Sequence, residues 1–132
     1  MINSYEKNYD FVVVGGGITG ICAAVAAARN GAKTALIHER PVLGGNASSE
    51  IRMHICGANS NMKKPELTEG GIVHELMLSN KRVNDSFNFS IWDAVLFDTV
   101  KKEKNLKNNE DYLIFIFLFF SSLVIEFSHF LI

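Results

Sequence analysis

Apolar positions change their period several times along the chain, and each change marks an element. Phe11-Val12-Val13-Val14 is an unbroken run of aromatic and β-branched residues between Asp10 and three successive glycines. A run without alternation predicts a short strand buried on both faces. Residues 18–30 are rich in Ala and are followed by Gly31, so a good helix former meets a C-terminal stop and a helix is predicted. Thr34-Ala35-Leu36-Ile37-His38 repeats the strand signal. Strand, helix and strand within residues 10–39 have about the length that a right-handed parallel crossover needs. They predict the opening of a doubly wound α/β domain.

Beyond Arg40, a stretch containing Gly, Asn, Ser and both prolines, Pro41 and Pro65, extends to about Thr68. It is longer than the loops usual in compact domains, which predicts a functional or partly structured segment. A second helix is predicted over residues 72–79. Ser90-Ile91-Trp92-Asp93 has the form of a capping box, which puts the start of a third helix at Ser90. Trp92, Val95, Leu96 and Val100 then recur at helical spacing towards a Lys-rich end that suits the helix dipole. Trp92, Val95 and Leu96 are therefore expected in the core, not stacked on a ligand.

Charge narrows the function classes. Fourteen acidic and 13 basic side chains leave a net charge of −1, without the basic excess of a nucleic-acid binder. A length of 132 residues fits one domain. Cys22 and Cys56 lie far apart with no C-x-x-C spacing, which excludes a disulfide framework, a zinc ribbon and a cysteine-ligated cluster and favours a reducing compartment. The first ten residues mix charged and polar side chains and lack the apolar core of a secretory signal. A cytoplasmic location is the expectation.

Candidate chemistry concentrates at Gly15-Gly16-Gly17-Ile18-Thr19-Gly20, which satisfies G-x-G-x-x-G between a predicted strand and a predicted helix. In that setting Gly15 makes the tight turn, Gly17 admits a pyrophosphate to the backbone, and Gly20 lets the helix lie close on the sheet. Ala24 and Gly31 extend the small-residue pattern. Backbone N–H groups at the helix start, with the positive end of its dipole, would bind phosphates. Glu39 ends the second strand, where a carboxylate accepts hydrogen bonds from an adenosine ribose and repels a 2′-phosphate. A plain glycine turn is the alternative. Strand, loop, helix, strand and acid in register favour dinucleotide binding.

The continuation specifies which dinucleotide. Glu39-Arg40-Pro41-Val42-Leu43-Gly44-Gly45 resembles the FAD-binding signature of the glutathione-reductase-type flavoproteins, an incomplete Rossmann-type FAD domain here. Residues 44–53, GGNASSEIRM, with Glu69-Gly70-Gly71-Ile72-Val73, resemble an FAD-dependent oxidoreductase family. That family includes xanthan-lyase-associated flavoproteins and is distantly similar to the flavin subunit of heterodisulfide reductase. The resemblance covers residues 8–107. It implies that Gly15, Gly16, Gly17, Ile18, Thr19 and Gly20 hold the FAD pyrophosphate, Glu39 the ribose, and Arg40, Gly44, Gly45 and Asn46 the second wall of the groove. The cysteine pair of the disulfide-reductase branch is missing: Asn46 and Ala47 stand in that region and Cys56 is alone. Dithiol chemistry is not supported. An NAD-binding dehydrogenase domain is the runner-up, and a truncated, non-enzymatic remnant is the reading from another class. The substrate, a small molecule, is not legible.

Arg52, His54 and Cys56 alternate on one stretch and His74 falls on a predicted helix. A metal or acid–base role can be set against ordinary packing, and packing is favoured; no spacing matches a metal-ligand set. Cys22 and Cys56 are both expected as small packed residues.

Residues 112–125 carry no charge, and residues 111–132 hold six of the ten Phe with no Lys or Arg. Three readings compete for the tail at 108–132: a third parallel strand, a membrane anchor flanked by lysines, or the product of a truncation or frameshift in AT-rich DNA. The last is favoured. The chain alone is then expected to lack turnover.

Overall fold

The computed structural model describes residues 8–56 and 70–106. Strand β1 (Phe11–Val14) leads into helix α1 (Ile18–Arg29) and strand β2 (Thr34–Ile37). A 3-10 turn (Gly45–Ala47), helix α2 (Gly71–Val83), helix α3 (Phe89–Lys102) and a 3-10 turn (Lys104–Leu106) follow. The two strands pair in parallel, Phe11 opposite Thr34 through Val14 opposite Ile37. Asp10 fastens the start of the pair: its carboxylate accepts the Lys33 N–H at 2.7 Å and its own N–H donates to the Lys33 carbonyl at 2.8 Å. The α/β architecture with a parallel sheet is the one predicted.

Burial differs between the strands. Thr34, Ala35 and Leu36 of β2 are buried, whereas Phe11, Val12 and Val14 of β1 are 45%, 44% and 70% exposed. The expectation that β1 is buried on both faces is therefore corrected. Among the described residues the sheet has two strands, so β1 has a neighbour on one edge and its apolar run is only partly covered.

Helix α1 buries Ile21, Ala24, Val25 and Ala28, spaced at the three and four residues that bring side chains to one helical face. Leu36, Leu43, Leu76 of α2, and Trp92, Leu96 and Val100 of α3 close the core around them. Trp92 and Leu96 are core residues, as the helical spacing predicts.

Helix α3 starts earlier than predicted, and its cap is not Ser90. Asn88 is the N-cap, its side chain accepting the Ser90 N–H at 2.8 Å. Buried Asn84 fixes that start: its Oδ1 accepts the Asn88 N–H at 2.7 Å, and its Nδ2 donates to the Asn88 carbonyl at 2.8 Å and to Asn80 Oδ1 at 2.9 Å. One amide side chain thus joins the end of α2 to the start of α3. Helix α2 also runs past the predicted residues 72–79 to Val83, with Lys81 and Arg82 in its last turn, where positive charge suits the helix dipole.

On the surface, Arg29 donates to both Glu75 carboxylate oxygens at 2.7 Å and, through Nε, to Glu103 at 2.8 Å. Hydrogen bonding to Glu75 chiefly pushes the guanidinium above its ordinary value, and Arg29 holds the Glu75 carboxyl below its own. Both partners are more than a third exposed, so the pair is worth about 0.2–1 kcal/mol. With Glu103, the C-cap of α3, Arg29 at the end of α1 thus links α1 to both α2 and α3. Among the described residues no helix is long and apolar enough to cross a membrane. The predicted tail at 108–132 lies outside the described residues.

Leu96 is fully buried at the centre of the cluster. Leu96→Ala is expected to lower stability by about 2–5 kcal/mol, the range for deleting a buried Leu side chain. Urea unfolding followed by circular dichroism measures it.

Candidate functional site

Two glycine loops meet at the C-terminal ends of the strands. In the first, Gly15 turns out of β1 with φ +104° and its N–H donates to the Ile37 carbonyl at 2.8 Å. Gly17 is the N-cap of α1, which has no side-chain cap and no acidic residue in its first turn. The leading N–H groups of a helix have no partner within the helix, and here neither a side chain nor a negative charge of that turn competes for them. A side chain at Gly17 would meet no atom within 4 Å. At Gly20, by contrast, a Cβ would stand 1.8 Å from the Gly15 carbonyl oxygen, so the close approach of α1 to the loop depends on a bare backbone.

The second loop presses against the first. The Gly44 N–H donates to the Gly16 carbonyl at 2.8 Å, and Gly44 bridges Gly17 in parallel. Gly44 has φ +111°, a conformation that favours glycine, and a Cβ there would also lie 2.7 Å from Leu96 Cδ1. A Cβ on Gly45 would stand 3.2 Å from Gly17 Cα. The two loops therefore touch backbone to backbone.

Helix α3 braces the second loop from behind. Trp92 donates its indole N–H to the Ala47 carbonyl at 2.9 Å, and Asp93 accepts the Ser49 N–H at 3.0 Å. Asp93, read from the sequence as half of a capping box, is thus turned to the loop. Ser48 is fully buried and its hydroxyl donates to the Gly45 carbonyl at 2.7 Å.

Of the residues singled out in the sequence, Gly15, Gly16, Gly17, Ile18, Thr19 and Gly20 form the first loop and the helix start, and Gly44, Gly45 and Asn46 the adjoining one. Asn46 is exposed and its carbonyl accepts the Met53 N–H at 2.9 Å. Glu39 follows β2 and is exposed. Arg40 is half of an ion pair with Glu50 at 3.3 Å and lines, with residues of α3, a cavity of about 380 Å³.

His38 is the residue that sequence reasoning missed, because it reads as the end of an apolar strand. Its ring is buried; Nδ1 accepts the Gly16 N–H at 2.9 Å and Nε2 lies 2.9 Å from the Val42 carbonyl. Only its position, one residue before the acid, could have signalled it.

Arg52 stands in the left-handed region with φ 65°, and its guanidinium lies 5.9 Å from the Phe89 ring centroid, while the His54 ring lies tilted by 41° to the same ring with centroids 5.6 Å apart. Cys56 is exposed, its thiol donating to the His54 carbonyl at 3.7 Å, so its expected place among packed residues is corrected. Its neighbour Ile55 still packs against the core, while Cys56 itself lies outside it. Cys22 is packed as expected, and burial pushes its thiol up. Among the described residues no three His, Cys, Asp or Glu side chains converge on a common point.

Comparison with known proteins bears on this arrangement. Residues 10–111 match the family described as FAD dependent oxidoreductase. A fumarate reductase (cytochrome) from Shewanella frigidimarina is 33% identical over 78 residues, which cover 58% of this chain and 14% of that protein. The tRNA uridine 5-carboxymethylaminomethyl modification enzyme MnmG from Mycoplasma capricolum subsp. capricolum is 30% identical over 122 residues, 76% of this chain and 18% of that enzyme. The chain thus spans less than a fifth of the length of these curated relatives. No solved structure gives a significant match.

Gly20→Ala places a methyl group 1.8 Å from a backbone oxygen, so loop and helix must separate. A loss of about 1–3 kcal/mol is expected, the cost of overpacking a close contact. Thermal melting of the two proteins measures it.

Proposed function

The chain belongs to the FAD dependent oxidoreductase family, and from that premise we propose that residues 15–20 hold the pyrophosphate of the cofactor and Glu39 its adenosine ribose. FAD is the cofactor. Arg40, Gly44, Gly45 and Asn46 form the facing wall. The observation that carries this assignment is the start of α1: an uncapped helix N-terminus with no acid in its first turn and open space at Gly17. A dianion fits such a place, because unpartnered N–H groups and the positive end of the dipole act on it together. Bound FAD supplies the redox chemistry, accepting or releasing electrons at its ring.

The chain's own residues do the binding and orienting. Loop N–H groups fix the phosphates, and the backbone contact between the two loops sets the width of the groove. Glu39, exposed beyond β2, is available to the ribose hydroxyls and disfavours a phosphate on them. The activity of the whole protein is a flavin-dependent oxidation or reduction of a small molecule. Within the family, residues 44–53 and 69–73 support kinship with the xanthan-lyase-associated flavoproteins and, more distantly, with the flavin subunit of heterodisulfide reductase. The residues assigned here reach the adenosine and pyrophosphate end of FAD, and walls for the flavin ring are not among them. Turnover by this chain alone is not expected.

Gly17 has φ −67° and ψ 174°, which alanine adopts freely. Gly17→Ala is expected to leave the melting temperature unchanged while lowering flavin affinity by at least about tenfold, since the methyl group takes the phosphate's place. Unchanged flavin content, read from absorbance after desalting, would sink the assignment. Glu39→Gln is expected to weaken FAD binding by about 1.5–3 kcal/mol, the worth of hydrogen bonds to a charged group. Titration of flavin fluorescence measures it, and no loss means that Glu39 does not contact the ribose.

A further inference from the structure

His38 sits between the two glycine loops and is bonded to both. Its Nδ1 accepts a hydrogen bond from the Gly16 N–H, so in this arrangement Nδ1 carries no proton, and Nε2 carries the ring's N–H and donates it to the Val42 carbonyl. The ring is therefore neutral and in one tautomer. It occupies a tight space: a Cβ on Gly16 would stand 2.7 Å from His38 Cγ and 2.6 Å from Leu43 Cδ2. Gly16 is held a second time by the Gly44 N–H, which donates to its carbonyl at 2.8 Å. Gly16 thus gives its donor to His38, just beyond β2, and its acceptor to the second loop.

We propose that His38 is a proton-controlled positioning residue for the cofactor loop: the neutral ring locks Gly16 against residues 42–44, and protonation releases that lock. The proposal rests on the assignment of residues 15–20 to the FAD pyrophosphate. A protonated imidazole has donors at both nitrogens. Nδ1–H would then face the Gly16 N–H, two donors head to head in a buried site, and one contact between the loops would be lost. The Gly16 amide, freed from Nδ1, would no longer fix the direction of the neighbouring Gly17 N–H. Among the described residues, the charged groups lining the cavity against His38 are Arg40 from its own strand end and Asp93 from α3. They are of opposite sign, and each is engaged elsewhere, Arg40 with Glu50 and Asp93 with the Ser49 N–H. Neither replaces the acceptor that Gly16 loses.

The direction of the pH dependence separates this role from its obvious rival. A histidine acting as a cationic ligand of the pyrophosphate would bind FAD more tightly as the solution is acidified. A lock that needs the neutral ring would bind it less tightly.

The test uses the full chain, labelled with nitrogen-15, at several values between about pH 8 and about pH 5, where imidazoles change charge. Without FAD, the Gly16 amide is expected to lose its exchange protection by about tenfold, beyond the intrinsic effect of pH, as the His38 ring takes up its proton. FAD affinity is expected to fall by about tenfold over the same interval, the size of one buried hydrogen bond left unmade. His38→Asn puts an acceptor near the Nδ1 position that cannot be protonated in this range, and its FAD affinity should stay near the neutral wild-type value and be flat with pH. His38→Leu should leave Gly16 unprotected at every pH. If that variant fails to fold, the asparagine variant carries the decision. A wild-type affinity that is flat or rises on acidification, or a wild-type slope retained in His38→Asn, overturns the proposal. So does a Gly16 amide that ignores the state of the ring. A Gly16 amide that follows the ring in a chain binding no FAD at any pH upholds the lock between the loops and overturns the cofactor assignment instead.

Discussion

Everything at this site depends on how closely two stretches of bare backbone approach each other. The Gly44 N–H reaches the Gly16 carbonyl, and Gly45 lies so near Gly17 that a methyl group would be 3.2 Å from its Cα. Side chains at these points would hold the loops apart. A buried backbone polar group must find a partner, and here the partner of each loop is the other. The hydrophobic cluster below supports the arrangement: Leu43 and Leu96 fill the space directly beneath, and no larger residue than glycine fits at 44.

The α/β unit was legible because its signals are local. The apolar run of β1, the Ala-rich α1 and the run of β2 each declare themselves within a few residues, and G-x-G-x-x-G joins them in register. Gly20 shows how physical that motif is, since its missing side chain is demanded by one carbonyl oxygen. What stayed hidden depends on residues distant in sequence. Asp93 looked like a helix cap because its spacing from Ser90 is right. Asn84 had already fixed the start of α3 at Asn88, leaving the carboxylate to a loop 44 positions away. His38 hid inside a hydrophobic pattern for a similar reason, since its two partners lie on either side of it in the chain. Burial of β1 was overestimated because an apolar run reports what a strand can bury, while actual burial depends on the neighbours that reach it.

The two halves of the site differ in how they are held. The first loop is fixed by the strand pair and by α1, within residues 10–39. The second has little regular structure of its own beyond one 3-10 turn, and it borrows rigidity from α3 through an indole N–H, a carboxylate and the side chain of Leu96. A helix remote in sequence thereby holds the second loop in place.

That borrowing has a consequence for the order in which the molecule assembles. The His38 contact with Gly16 spans 22 positions, whereas those from Trp92 to Ala47 and from Asp93 to Ser49 span 45 and 44. Closing the longer loops costs more chain entropy before any contact rewards it. Strand, helix and strand can therefore come together as a nucleus, while the second loop becomes ordered only after α3 has docked. Pulse-labelled exchange during refolding would show amides of α1 and β2 protected before those of Ser48 and Ser49, and the reverse order would contradict this sequence of events. On this view the first glycine loop and the start of α1 exist, briefly, without the second loop that faces them.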